Sequence, residues 1–96
     1  MRYRYLVSYD ISDQKRWRKV FKTMRGFGDS VQYSVFLCTL SKEECLVLQS
    51  RLMDVIDLQD DRVMIVNIGV AASDIDKNVK FLGKKVVVSE QEAIII

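Results

Sequence analysis

The stretch YLVSYD, residues 5–10, is an apolar run that ends on a carboxylate, Asp10. The chain contains no histidine, which excludes Ser-His-Asp and Cys-His arrangements and most zinc sites. Proton transfer must then rest on a carboxylate, a lysine, a tyrosine, a cysteine or a metal-bound water. Two uses are open to Asp10. It can cap the helix that follows or pair with a nearby cation, or it can ligate a hard divalent ion. Mg²⁺ prefers oxygen ligands and takes one or two protein carboxylates, with water and phosphate completing its shell. Such an ion supplies an attacking hydroxide without histidine. One aspartate is a poor site alone, whereas two copies meeting across a dimer axis make a plausible one.

The residues after Asp10 are basic. No acid falls between Asp13 and Asp29, and six bases do: Lys15, Arg16, Arg18, Lys19, Lys22 and Arg25. Most of them follow helical spacing and form a charged stripe. Like charges at i, i+4 repel by a few tenths of a kcal/mol per pair, and no neighbouring acid offsets this. The stripe is either an ordinary solvated face or a binding surface for phosphates, whose contacts are sequence-blind and driven by counterion release. Tyr9 and Phe36 are either core residues or platforms for a base or ribose. Ser34, two residues before Phe36, can bond a phosphate or a backbone group. The acids Asp54, Asp57, Asp60 and Asp61 lack calcium-loop spacing and its glycine, and read as a solvated turn.

These residues need a scaffold. Tyr3, Tyr5, Val7 and Tyr9 alternate with Leu6, Ser8 and Asp10, the period of a strand. Asp13 or Ser12 caps a helix whose core stripe is Trp17, Val20, Phe21 and Met24 and which Gly26 and Gly28 end. Residues 31–40 (VQYSVFLCTL) read as one bulged strand or two short strands in a cramped hairpin. Ser41 and Glu44 fit a capping box for a second helix, which buries Cys45, Leu48 and Leu52 and extends toward Val55 and Ile56. Residues 63–68 (VMIVNI) read as a strand closed by Gly69. Residues 70–83 look irregular, Val86 to Val88 reads as a short strand, and the end from Ala93 is apolar. This order predicts an α+β fold, a ferredoxin-like βαββαβ sandwich with two helices on one face of an antiparallel sheet. The domain is expected over 1–69, with 70–96 as a C-terminal extension. Its apolar late strand is a liability alone, and a homodimer in which it joins the partner's sheet is the simplest remedy.

With 96 residues the chain suits one domain. Its net charge of +2 does not by itself imply a polyanionic partner. Cys38 and Cys45 read as two free thiols of a reducing, cytoplasmic setting. No apolar run approaches the roughly 20 residues that span a bilayer, so no membrane is expected.

Taken in order, YLVSYDIS, RWRKV, GFGDSVQYSVF and VMIVNIG resemble the small CRISPR-associated adaptation nuclease family that works beside the CRISPR integrase. The matching positions are Tyr9, Asp10 and Ile11, then Arg16 and Arg18, then Val31, Gln32, Ser34, Val35 and Phe36, and the likeness spans roughly residues 3–69. KFLGKK, residues 80–85, also looks like the family's tail. The resemblance implies a homodimer with an exchanged C-terminal strand. It implies a shared cleft where Asp10 of both protomers binds Mg²⁺ or Mn²⁺ as catalytic metal ligand. Metal-dependent cleavage of RNA or double-stranded DNA is implied for some members, and so is a bridging role between integrase dimers. Arg16, Arg18 and Lys19 are then expected to hold nucleic acid, with Tyr9, Ser34 and Phe36 lining the cleft. Two positions depart from the pattern. Ser30, preceded by Asp29, stands where members often carry arginine, and Leu37 stands where many carry an acid.

The expectations are thus an endonuclease or, as alternative, a non-catalytic dimeric scaffold for duplex DNA and the integrase. A small-molecule regulatory domain of the same topology is the third reading, disfavoured by the basic helix.

Overall fold

The computed structural model describes residues 1–71 and 79–86. Its elements run β1 (Tyr3–Asp10), α1 (Gln14–Arg25), β2 (Gly28–Gln32), β3 (Val35–Leu40), α2 (Lys42–Met53) and β4 (Arg62–Val70). The four strands form one antiparallel sheet in the order β2-β3-β1-β4. That order, with both helices against one face, is the expected ferredoxin-like α+β fold.

Alternation along β1 decides which side is core. Tyr5, Val7 and Tyr9 are buried, while Arg4, Leu6 and Ser8 are half-buried and Asp10 is exposed. Phe36, Cys38 and Leu40 of β3 join the same buried layer, and α1 and α2 cover it with Val20, Met24, Cys45, Leu48 and Leu52. Burial pushes the Cys38 thiol up to about 12, with smaller contributions from Cys45 and Asp29, so it behaves as a small hydrophobe. Both cysteines are free.

The caps follow local chemistry. The Asp13 carboxylate accepts from Arg16 N at 2.9 Å and starts α1. Ser41 and Glu44 form the expected reciprocal box at α2, at 3.1 and 2.8 Å. Helix α2 stops at Met53, short of Val55 and Ile56, whose N–H groups donate to Leu52 O, both at 3.0 Å. Helix α1 ends at Gly26 in a right-handed conformation (φ −78°), without the left-handed turn that glycine usually supplies. Gly28 serves another purpose: it opens β2. A Cβ there would collide with Leu37 O and sit 2.6 Å from Cys38 Sγ, so only glycine lets β2 lie this close to β3.

Residues 31–40 fold as a hairpin whose two-residue loop is Tyr33–Ser34, with a register shift between Ser30 and Gln32. Gly69 lies inside β4 instead of closing it. It sits at φ +116° where β4 holds one extra residue against Tyr3–Tyr5, a bulge that favours glycine. The expected strand at Val86–Val88 and the apolar end from Ala93 lie outside the described residues, apart from Val86, which is in neither helix nor strand. Among the described residues no helix is long and apolar enough to cross a membrane.

Candidate nucleic-acid interface

Asp10 is the last residue of β1 and is exposed on the sheet face that carries no helix. It lies across from Arg62, the first residue of β4. Directly opposed residues of an antiparallel pair keep Cβ atoms about 5 Å apart, yet no ion pair forms between these two. Nor does Asp10 cap α1, a role taken by Asp13. Its carboxylate therefore has no hydrogen-bond or ion-pair partner among the described residues and is open to an external ligand.

The cations of α1 divide into two kinds. Lys15, Arg18, Lys19 and Lys22 are exposed, and none has an acidic partner among the described residues. Arg16 is different. Its Nε donates to Asp61 Oδ2 at 2.8 Å and its Nη2 to Asp61 Oδ1 at 3.3 Å and to Ser12 Oγ at 3.1 Å. The expectation that Arg16 grips a phosphate gives way to an internal role, because a carboxylate distant in sequence already fills its fork. The aspartate turn is corrected with it: Asp61 is not solvated but has a fully covered side chain. Asp61 also accepts from Ser12 N and Ser12 Oγ and from Asp57 N at 2.8 Å. Five donors on one carboxylate tie the start of β4 to Ser12, to Arg16 in the first turn of α1 and to Asp57.

Those bonds, the Arg16 guanidinium above all, hold the Asp61 carboxyl well below its ordinary 3.8. A folded value depressed in this way contributes stability that is complete above pH 3.8 and is lost as pH falls below it. Asp61→Asn is accordingly expected to be less stable than the parent by about 2 kcal/mol at pH 7, with the gap narrowing toward pH 3. Urea unfolding followed by Trp17 fluorescence at several pH values measures this.

Tyr9 and Phe36 do not line a cleft. They are 4% and 0% exposed, and their ring centroids stack 6.3 Å apart under α1. No ring face is left for a base, since the strand face that carries them is the one both helices cover. Burial pushes the Tyr9 hydroxyl up to about 12, with a smaller effect of Tyr33. Ser34 is engaged too: its Oγ accepts from Trp17 Nε1 at 2.8 Å and its carbonyl from Tyr9 N at 3.0 Å. These bonds hold Ser34 at φ +60°, a left-handed conformation that serine seldom adopts. Leu37, in place of the family's frequent acid, is buried at 2%.

The structure thus brings Asp10, Arg62 and the tip of the β2–β3 hairpin to one end of the sheet, with the exposed cations on α1. Arg62 escaped the reading of the sequence, and Asp61 entered it only as part of a solvated turn. Antiparallel pairing of β4 with β1 was the signal that places Arg62 opposite Asp10. Nothing in spacing announces the pairing of Arg16 with Asp61. The described residues hold no cluster of three or more His, Cys, Asp or Glu positioned for a metal.

Comparison with known proteins agrees with this geometry. The family model for CRISPR associated protein Cas2 matches residues 1–74. The chain belongs to the Cas2 family. A CRISPR-associated endoribonuclease Cas2 of Rhodospirillum rubrum is 46% identical over 92 residues, covering 96% of this chain and 89% of the relative. One of Geobacter sulfurreducens is 38% identical over 84 residues, covering 88% and 87%. Among solved structures, Streptococcus pyogenes Cas2 superposes with a TM-score of 0.71 at 29% identity, covering 83% of this chain and 99% of that one. A hypothetical protein of Thermus thermophilus superposes at 0.76 and 29% identity, covering 93% and 100%. The Cas2 relatives thus match nearly from end to end, including the stretch that holds Asp10.

Proposed function

We propose that this Cas2-family chain is a metal-dependent endonuclease of RNA or double-stranded DNA that works with the CRISPR integrase in spacer acquisition. The observation that carries the reading is Asp10: an exposed carboxylate without a partner among the described residues, at the strand end, opposite Arg62 and near the exposed bases of α1. Relatives named endoribonucleases at 46% and 38% identity support it and make RNA the first substrate to test.

One carboxylate per chain fits Mg²⁺ or Mn²⁺ only when a second copy or a phosphate completes the shell. The helix-free sheet face favours a second copy. Met64 and Val66 are exposed on it at 52% and 36%, and they flank Ser8 and Leu6 on the same face as Asp10. A homodimer closed on this surface covers apolar area and brings two Asp10 side chains to one axis. Asp10 of both copies would hold such an ion, whose chemistry there would be to lower the pKa of a bound water and to offset charge on the phosphate. The chain's own residues do the positioning. Arg18, Lys19 and Lys15 hold the strand through its phosphates, Arg62 stands beside the carboxylate, and Asp61 with Arg16 fixes the Ile11–Ser12 segment behind it.

A second reading rests on Leu37. Where many members of the family carry an acid, this chain has a buried leucine, and a dimer that grips duplex DNA and the integrase without cutting needs only the cations. Incubation of the purified protein with single-stranded RNA and with duplex DNA, in Mg²⁺ or Mn²⁺ and in excess EDTA, separates the two. The nuclease reading expects cleavage with metal and none with EDTA. Binding of duplex without cleavage in either metal selects the scaffold.

A further inference from the structure

Tyr33 is the one aromatic side chain among the described residues that the fold leaves in the open, at 81% exposure. It is not loose. Its ring lies on Trp17, with centroids 5.0 Å apart and planes within 14° of parallel. Trp17 lies in the same way on Phe21, at 5.3 Å and 15°. The Arg25 guanidinium sits 5.9 Å from the Phe21 centroid at the far end. The result is a column of three nearly parallel rings, closed by a cation at one end and bare at the other, where Tyr33 ends it.

The column is braced. Trp17 Nε1 donates to Ser34 Oγ, the residue after Tyr33, and Tyr9 N donates to Ser34 O. These bonds fix the hairpin tip against α1 and against the end of β1. The β1–β3 register ends with Ser8 opposite Val35, so the Tyr33–Ser34 loop lies at the end of the sheet where β1 finishes at Asp10. A rigid, pre-stacked ring with one bare face, at the same end of the sheet as the open carboxylate and packed against the helix that carries Arg18 and Lys19, is matched by a planar, electron-poor group joined to a phosphate chain.

The geometry points to Tyr33 as a stacking platform for one unpaired nucleobase of a single strand, which sets which phosphate lies at Asp10. This rests on the nucleic-acid reading above and deepens it. Paired bases keep their faces inside the duplex, so the platform selects single-stranded or frayed substrate over blunt duplex. It is indifferent to base identity, because every base has a π-face.

The test uses a short single-stranded RNA carrying 2-aminopurine, the matching DNA strand, and the blunt duplex. Binding is followed by 2-aminopurine emission and by Trp17, the chain's one tryptophan. Tyr33→Ala is expected to lose about 5- to 150-fold in single-strand affinity, the worth of one base–aromatic stack. Tyr33→Phe and Tyr33→Trp are expected to retain it. The slope of log affinity against log salt stays unchanged in Tyr33→Ala, whereas Arg18→Ala makes it shallower by about one unit. Duplex affinity is expected to move by less than a factor of two. Single-strand binding by Tyr33→Ala within two-fold of the parent overturns the platform and leaves the nuclease reading in place. A salt slope altered as in Arg18→Ala overturns it as well, by making Tyr33 an electrostatic contact. Failure of the parent protein to bind any of the three nucleic acids overturns both readings. A melting curve checks that the variants fold, which the exposure of Tyr33 favours.

Discussion

Asp10→Asn is expected to lower divalent-metal-dependent cleavage of single-stranded RNA by at least about 100-fold, while the melting temperature stays within about 3 °C of the parent. The two halves of this result come from one observation. The carboxylate is exposed and has no partner among the described residues, so its removal breaks no hydrogen bond there, leaves no buried charge and opens no cavity. Asparagine keeps the volume and one carbonyl oxygen but loses the charge that holds a hard cation. The loss should therefore lie in the metal-dependent rate and should shrink as Mn²⁺ or Mg²⁺ is raised. Affinity for the strand, which is proposed to rest on Arg18, Lys19 and Tyr33, should change little. Cleavage that survives in Asp10→Asn at ordinary metal concentrations would place the chemistry elsewhere in the chain. A large drop in melting temperature would show that Asp10 is structural after all.

The parts of this fold that were legible in the sequence are those whose cause is local. The Asp13 cap needs only Arg16 N three residues on, and the Ser41–Glu44 box closes within one turn. The alternation of β1 is a period of two and reads directly, which set Asp10 on the face opposite Tyr5, Val7 and Tyr9; the helices then make the face of those three the core. Long-range partners were not legible. Arg16 and Asp61 are 45 residues apart and meet only because β4 returns beside β1. From spacing alone Asp61 belonged to a solvated turn, and Arg16 to a basic run that was either solvated or phosphate-binding. The rings misled for a related reason. Tyr9 and Phe36 were weighed as core or platform, and only helix coverage decides that they are core, at 4% and 0% exposure. Tyr33 reads as an ordinary strand residue until Ser34 takes a left-handed turn and lifts it out of the sheet. Gly69 was read as a terminator, because a strand bulge leaves no mark distinct from a strand end.

Met64→Glu combined with Val66→Glu is expected to leave a monomer at micromolar concentration and to cut RNA cleavage by at least about 100-fold, although Asp10 is untouched. Both side chains are exposed on the helix-free face of β4, so the folded single chain accommodates the charges at little cost, within about 0.5 kcal/mol each. At a two-fold axis the outcome differs. Each glutamate meets apolar surface or its own symmetry mate, and burying such charges without partners costs several kcal/mol. Sedimentation equilibrium reads the assembly, and urea unfolding reads the fold. The decisive arm is mixing. If two Asp10 side chains share one ion, a mixture of parent and Asp10→Asn chains should lose activity in proportion to the square of the parent fraction, the share of dimers with both carboxylates. A linear loss would mean that each chain carries a complete site. A Met64→Glu/Val66→Glu protein that stays monomeric yet cleaves at the parent rate would say the same, and would move the metal's remaining ligands from the partner to water and the phosphate.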